Sequence, residues 1–428
     1  MKANLLVVYL VLLIAISLNF FDAKFIPAKL VNYLEFAAVM GSVLVAIVYM
    51  FDRKGGFVLP VQLISLSIIF SMVMAYISWG QGFRDSLLET SQYILWPLFF
   101  LLLHLKVPIR TLEKIILAYG VLYVILYFFQ YANAHTVLFG KPISGEEFSE
   151  QRGAIRIIFP GAGIFILAIF IALTKITQAV RYRWLYLGFA ALGLIVPIMQ
   201  VTRQFIAGVV LIYFYHFFKS QSILKKTLIL GAFAGGVLVL LNADIPMIRG
   251  VIEVQQRDAK LGKNYIRVQA GEYFLTDFSP NVLSQIFGNG APNWGISRYG
   301  KFMERLSNTQ EYFLSDVGII AVYTMFGIFA IGGFMLMWYK SFTLPVPEQF
   351  AYVKYYLWYL LLTSFTWYSV YHYHYLIATI FALYIYHRAV MDEKKRAVIG
   401  YLLRKASATP KAADRDFSPM KKETLLKS

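Results

Sequence analysis

The stretch 249-RGVIEVQQRDAKLGKNYIR-267 opens the one long polar segment of this chain, which runs on through Phe287-Gly288-Asn289-Gly290 to Asp316-Val317-Gly318. On either side the sequence is a succession of apolar runs. Whether this segment is a loop between membrane spans or part of a soluble domain decides the fold. Composition answers the question. Only 15% of the 428 residues are charged, 59% are hydrophobic and the mean hydropathy is +0.62. A soluble domain carries about a quarter charged residues, so the chain reads as an integral membrane protein.

Working outward from the polar segment, apolar runs with few charges fall at 3–21, 31–51, 57–78, 91–106, 113–131, 157–174, 184–199, 203–218, 227–243, 313–339, 349–366 and 370–388. About 20 residues cross a bilayer, so each is a candidate span, and the first reads as a span rather than a cleavable signal. The fold class expected is an all-α integral membrane protein with about twelve transmembrane helices and one long loop, 244–312, between the ninth and tenth. Residues 1–390 form the polytopic domain. The basic stretch 391–428 reads as a tail, partly disordered or lying along the inner leaflet.

Short-loop charges orient the spans. Arg53 and Lys54, Lys106, Arg110 and Lys114, Lys175, Arg181 and Arg183, and Lys219, Lys225 and Lys226 all fall on the N-terminal side, joined by Arg388 and Lys394 to Arg396. The alternate loops hold fewer cations: Lys24, Lys29, Arg84, Lys141, Arg152 and Arg156. By the positive-inside rule both termini are cytoplasmic and the 244–312 loop faces outward. The net charge of +17 then suits anionic lipid headgroups better than nucleic acid, because the cations sit at span ends and in the tail. With no cysteine, neither disulfides nor thiolate metal sites are available.

Several polar residues invite chemistry. As one helix, 249–274 would place Arg249, Arg257, Lys260, Asn264 and Arg267 on a stripe about 80° wide. Guanidinium groups at a membrane surface suit phosphate or pyrophosphate, which they grip with a planar fork. The plainer reading is a solvated helix in which Glu253 pairs with Arg257, and Gly250 and Gly262 weaken its continuity. Arg203 stands alone in the tight hairpin 200–204 between two apolar runs, either as a snorkelling anchor or as a functional cation.

Carboxylates and imidazoles complete the candidates. Asp316 is a helix-capping residue or a base, and Glu311 is the better-placed spare carboxylate at the loop–membrane junction. His372 and His374 lie among Trp367, Tyr368, Tyr371, Tyr373 and Tyr375, an interfacial belt by default that also suits sugar stacking and proton transfer. A two-residue spacing does not put both imidazoles on one helix face, so no metal site is expected.

Four features in order resemble the bacterial O-antigen polymerase (Wzy) and O-antigen ligase (WaaL) superfamily. They are Val201-Thr202-Arg203 opening a span, Tyr265-Ile266-Arg267 about twenty residues before Phe287-Gly288-Asn289-Gly290, Ser307-Asn308 before Gly318, and Asp316-Val317-Gly318 followed by Gly327. Where ligases carry a histidine this chain has Ser307, which favours the polymerase branch. Arg152 and Gly163 match an Arg-x10-Gly spacing proposed for some polymerases, a match that common glycines make by chance.

The resemblance implies glycosyl transfer on the periplasmic face of the bacterial inner membrane. Donor and acceptor would be undecaprenyl-pyrophosphate-linked glycans, with a chain-length regulator as a possible partner and no cofactor. Arg152, Arg156, Arg203, Arg249, Arg257, Arg267, Asn289 and Asn308 would then bind pyrophosphate or glycan. Glu311, Asp316, His372 and His374 would be the candidate catalytic groups. The alternatives are a lipid-linked oligosaccharide flippase or other transporter, which should show two similar halves, and an O-antigen ligase.

Overall fold

The computed structural model describes residues 3–408 apart from 53–54, 143–147, 149, 152–153, 179–180, 201, 220–223, 225, 229, 232–234, 236–254 and 258. The described chain is helical except for a hairpin of two-residue strands, β1 (Glu150–Gln151) and β2 (Ala154–Ile155). Among the described residues four helices are long and apolar enough to cross a membrane: α2 (Ala28–Val48), α3 (Val58–Trp79), α6 (Ile109–Ala132) and α13 (Ile319–Thr343). Shorter apolar helices are α1 (Ala3–Ser17), α7 (Ala162–Ile176), α8 (Arg183–Met199) and α9 (Arg203–Phe218). The C-terminal pair is α14 (Ala351–Thr363) and α15 (Tyr373–Ala408).

Helix α7 is the axis of the bundle. Its sequence is apolar on every face, and every residue except Lys175 is buried. Helices α6, α8, α14 and α15 pack around it. Gly163 lets α15 come close, since a Cβ there would lie 2.5 Å from the Tyr375 Cα. Its place in the sequence is thus explained by packing.

Several expected spans are altered. The run 3–21 ends as a helix at Ser17, and Asn19, Phe20, Phe21 and Asp22 follow with positive φ. The run 91–106 is helical only in its second half, as α5 (Leu98–Leu105), while α4 (Phe83–Thr90) precedes it. Most of 227–243 lies outside the described residues. At the C-terminus α15 continues across residue 390, the expected domain boundary.

The polar segment is built onto the bundle rather than hanging from it. Its described part carries α10 (Ile266–Thr276), α11 (Val282–Phe287) and α12 (Arg298–Gln310). Helix α10 packs on α13, α11 on both α3 and α13, and α12 on α3. Within the described part of 249–274 the break that Gly262 suggested is present: Gly262 has φ +50 and α10 starts only at Ile266.

The two ends of the bundle differ in chemistry. At one end Glu113 accepts a hydrogen bond from the Tyr352 hydroxyl (2.7 Å) and lies 3.6 Å from Lys175 Nζ. The Phe57 N–H donates to His387 Nδ1 at the same end, and the Tyr384 hydroxyl donates to the Val107 carbonyl. The other end gathers the alternate connections and holds the cavity.

Candidate functional site

The floor of this end is a plug. Helix α13 breaks at Gly327 (φ 77, ψ −173), which diverts the amides that would ordinarily pair with the Thr324 and Met325 carbonyls. The Phe287-Gly288-Asn289-Gly290 turn supplies replacements. The Asn289 N–H donates to the Thr324 carbonyl (2.9 Å) and the Gly290 N–H to that of Met325 (2.8 Å). The backbones meet without side chains between them. A Cβ on Gly288 would sit 2.3 Å from the Met325 oxygen, and one on Gly327 2.2 Å from the Ile286 oxygen.

Asn289 is consumed by this joint. Its Oδ1 accepts from Trp79 Nε1 (2.8 Å), and its Nδ2 donates to Ser279 Oγ and to the Thr324 carbonyl. The residue is fully buried and does not line the cavity. Expected as a substrate-binding residue, it is placed by the structure at a backbone joint and not on the cavity wall.

From the plug the chain runs along the cavity wall through Ala291, Pro292 and Trp294. Buried Gln81 fixes this run. Its Nε2 donates to the Ala291 carbonyl (2.9 Å), while its Oε1 accepts from the Asn293 N–H and the Ser297 hydroxyl. An isolated glutamine after a span carries no sequence signal for this.

The cavity measures about 590 Å³ and is walled by every described connection at this end. Three arginines reach it from three separate segments. Arg156 comes from the α6–α7 connection, Arg203 opens α9, and Arg267 lies in the first turn of α10. All three are partly buried. Arg203 Nη1 donates to Gln255 Oε1 at 2.5 Å, tying the α8–α9 hairpin to the polar segment. Arg267 Nη2 lies 3.3 Å from Asp316 Oδ1. Asp316 sits in a short 3-10 turn and is not the cap of α13, whose flanking residue is Gly318.

His372 and His374 both face the cavity. The chain turns at 372 and α15 begins at Tyr373, so the helical spacing argument does not apply. The rings stand edge-to-face 4.3 Å apart, and His372 Nδ1 accepts from the His374 N–H (3.4 Å). That contact places the proton of neutral His372 on Nε2.

Other expected residues stand apart. Glu311 is exposed, has φ +57 and terminates α12, its N–H donating to the Ser307 carbonyl. Asn308 and Arg257 are exposed and outside the cavity lining. Arg152 and Arg249 lie outside the described residues.

Three charged groups were not legible as site residues: Asp22, Glu89 and Lys141. Lys141 Nζ lies 3.8 Å from Asp22 Oδ1. Burial raises the Asp22 carboxyl while Lys141 and Lys24 oppose the rise. Burial also raises the Glu89 carboxyl, with Asp85 adding to it. No group of three or more His, Cys, Asp or Glu that could hold a metal ion occurs among the described residues.

No family model, no curated protein and no solved structure matches the chain.

Proposed function

We propose that the protein is a membrane glycosyltransferase that joins undecaprenyl-pyrophosphate-linked oligosaccharide repeat units into a surface polysaccharide. The observation that carries this reading is the convergence of Arg156, Arg203 and Arg267, from three separate segments, on one cavity at one end of a helical bundle. Guanidinium groups match the oxygens of a pyrophosphate and neutralise the charge that grows on it as it leaves. A volume of about 590 Å³ falls within the range of small-ligand sites and takes a pyrophosphate with the sugar next to it. Trp294, Trp367, Tyr371 and Tyr373 supply stacking faces for sugar rings. The superfamily resemblance of the arginine and glycine motifs supports the same chemistry.

The positive-inside rule assigns the cavity end to the outer face of the membrane, since the cation-rich connections lie at the opposite end. There the lipid carrier presents its pyrophosphate at the headgroup level, within reach of arginines at span ends.

The test is the surface glycan profile of a deletion strain run beside the wild type. Single repeat units without a ladder, and failure of an Arg203→Ala copy to restore the ladder at normal protein level, are the expected result. Lipid-linked units trapped on the cytoplasmic face would instead make the protein a flippase.

A further inference from the structure

Three carboxylates line the cavity, and two of them are committed. Asp316 faces Arg267 at 3.3 Å and Asp22 faces Lys141 at 3.8 Å. The third is Glu89, in the last turn of α4 and half-buried. Among the described residues its carboxylate makes no ion pair and no hydrogen bond; only its backbone carbonyl is engaged, by Gln92 Nε2. Its charged neighbour is Asp85, four residues back, and α3, the helix packed against α4, contributes no charged side chain. Across the cavity stand the Asp22–Lys141 and Arg267–Asp316 pairs, Arg156, Arg203 and the His372–His374 pair.

The glycosyl transfer proposed above needs a base for the acceptor hydroxyl, and the choice is narrow. His372 Nδ1 already accepts the His374 N–H, which leaves a protonated Nε2 that cannot take up the hydroxyl proton. A carboxylate paired with a cation is less basic. We propose that Glu89 is the catalytic base that takes the acceptor hydroxyl proton, an inference that rests on the polymerase reading. The acceptor oxygen bonds to the donor's anomeric carbon as the bond from that carbon to the pyrophosphate oxygen breaks. The bonding pair leaves on the pyrophosphate, facing the arginines. The hydroxyl proton passes to the Glu89 carboxylate and from there to water. Gln92 and Tyr93, which follow on the same wall, place the acceptor sugar beside it. Burial favours this role, because it raises the basicity of Glu89 toward the working pH.

The experiment uses purified full-length protein with lipid-linked repeat units extracted from a deletion strain. For Glu89→Gln, kcat should fall on the order of 100-fold or more with KM within about threefold of wild type. Glu89→Asp should keep an intermediate kcat and the acid limb of the pH–rate profile, which the Gln variant should lack. The Asp variant also serves if the Gln variant does not accumulate. Wild-type kcat in either variant overturns the assignment and leaves the polymerase reading standing. No chain extension by the wild-type protein overturns that reading and this inference with it.

Discussion

Arg267 and Asp316, forty-nine positions apart in sequence (316 minus 267), meet at 3.3 Å across the mouth of α13. The pair joins the first turn of α10 to the turn that leads into α13, so it sets where a cavity guanidinium points. Both side chains remain accessible, at 26% and 31% of full exposure, so the contact orients Arg267 more than it stabilises the fold.

Arg267→Ala should therefore abolish polymer while protein level stays normal. Asp316→Asn should leave thermal stability within about 1 kcal/mol, as partly exposed pairs do. Glycan gels and detergent unfolding curves check the two effects separately. A wild-type ladder from Arg267→Ala would remove Arg267 from the proposed pyrophosphate site.

The plug behaves differently. Gly327→Ala places a methyl 2.2 Å from the Ile286 oxygen at a backbone φ of +77. Such a change should destabilise the protein by about 3 kcal/mol or more, combining left-handed strain with a backbone clash. Asn289→Ala should cost about 1–3 kcal/mol by removing a fully buried amide that joins the half-buried Trp79 indole N–H to Ser279 and the Thr324 carbonyl. A melting temperature unchanged in Gly327→Ala would show that the plug does not hold the cavity wall.

The absence of cysteine makes orientation directly measurable. Lys301 is exposed on α12 and Lys395 is exposed in the second half of α15. Lys301→Cys should react with a membrane-impermeant thiol reagent in intact cells, and Lys395→Cys only after permeabilisation. The reverse pattern would place the cavity in the cytoplasm and remove the periplasmic mechanism.

How far the site was legible depended on how local each signal is. Arg203 was visible because a cation in a five-residue hairpin between apolar runs has only one place to go, and the structure puts it on the cavity. Arg156 was visible as a cation just before the sixth apolar run, and Arg267 as one of the spaced cations of the polar segment and the arginine of Tyr265-Ile266-Arg267. For Glu311 and Asn289 the sequence showed a polar residue in a turn and not its surroundings: the structure places one at the end of a helix and the other in a backbone joint. Asp22, Glu89 and Lys141 were passed over because, in one dimension, each is an ordinary polar residue in a connection between apolar runs.

The sequence by itself determined the helical, membrane-like character of the chain. Hydropathy and charge act residue by residue, and an apolar run must bury its backbone polar groups in a helix wherever it lies in the fold. It also separated cation-rich from cation-poor connections, because that alternation is written in order along the chain. Only the tertiary structure decided that α7 is the axis, that α13 breaks to receive Gly288, and that Glu89 shares a cavity with Arg203 and Arg267. Those facts depend on which connections meet at one end of the bundle. Packing between segments far apart in sequence sets that, and no local pattern records it.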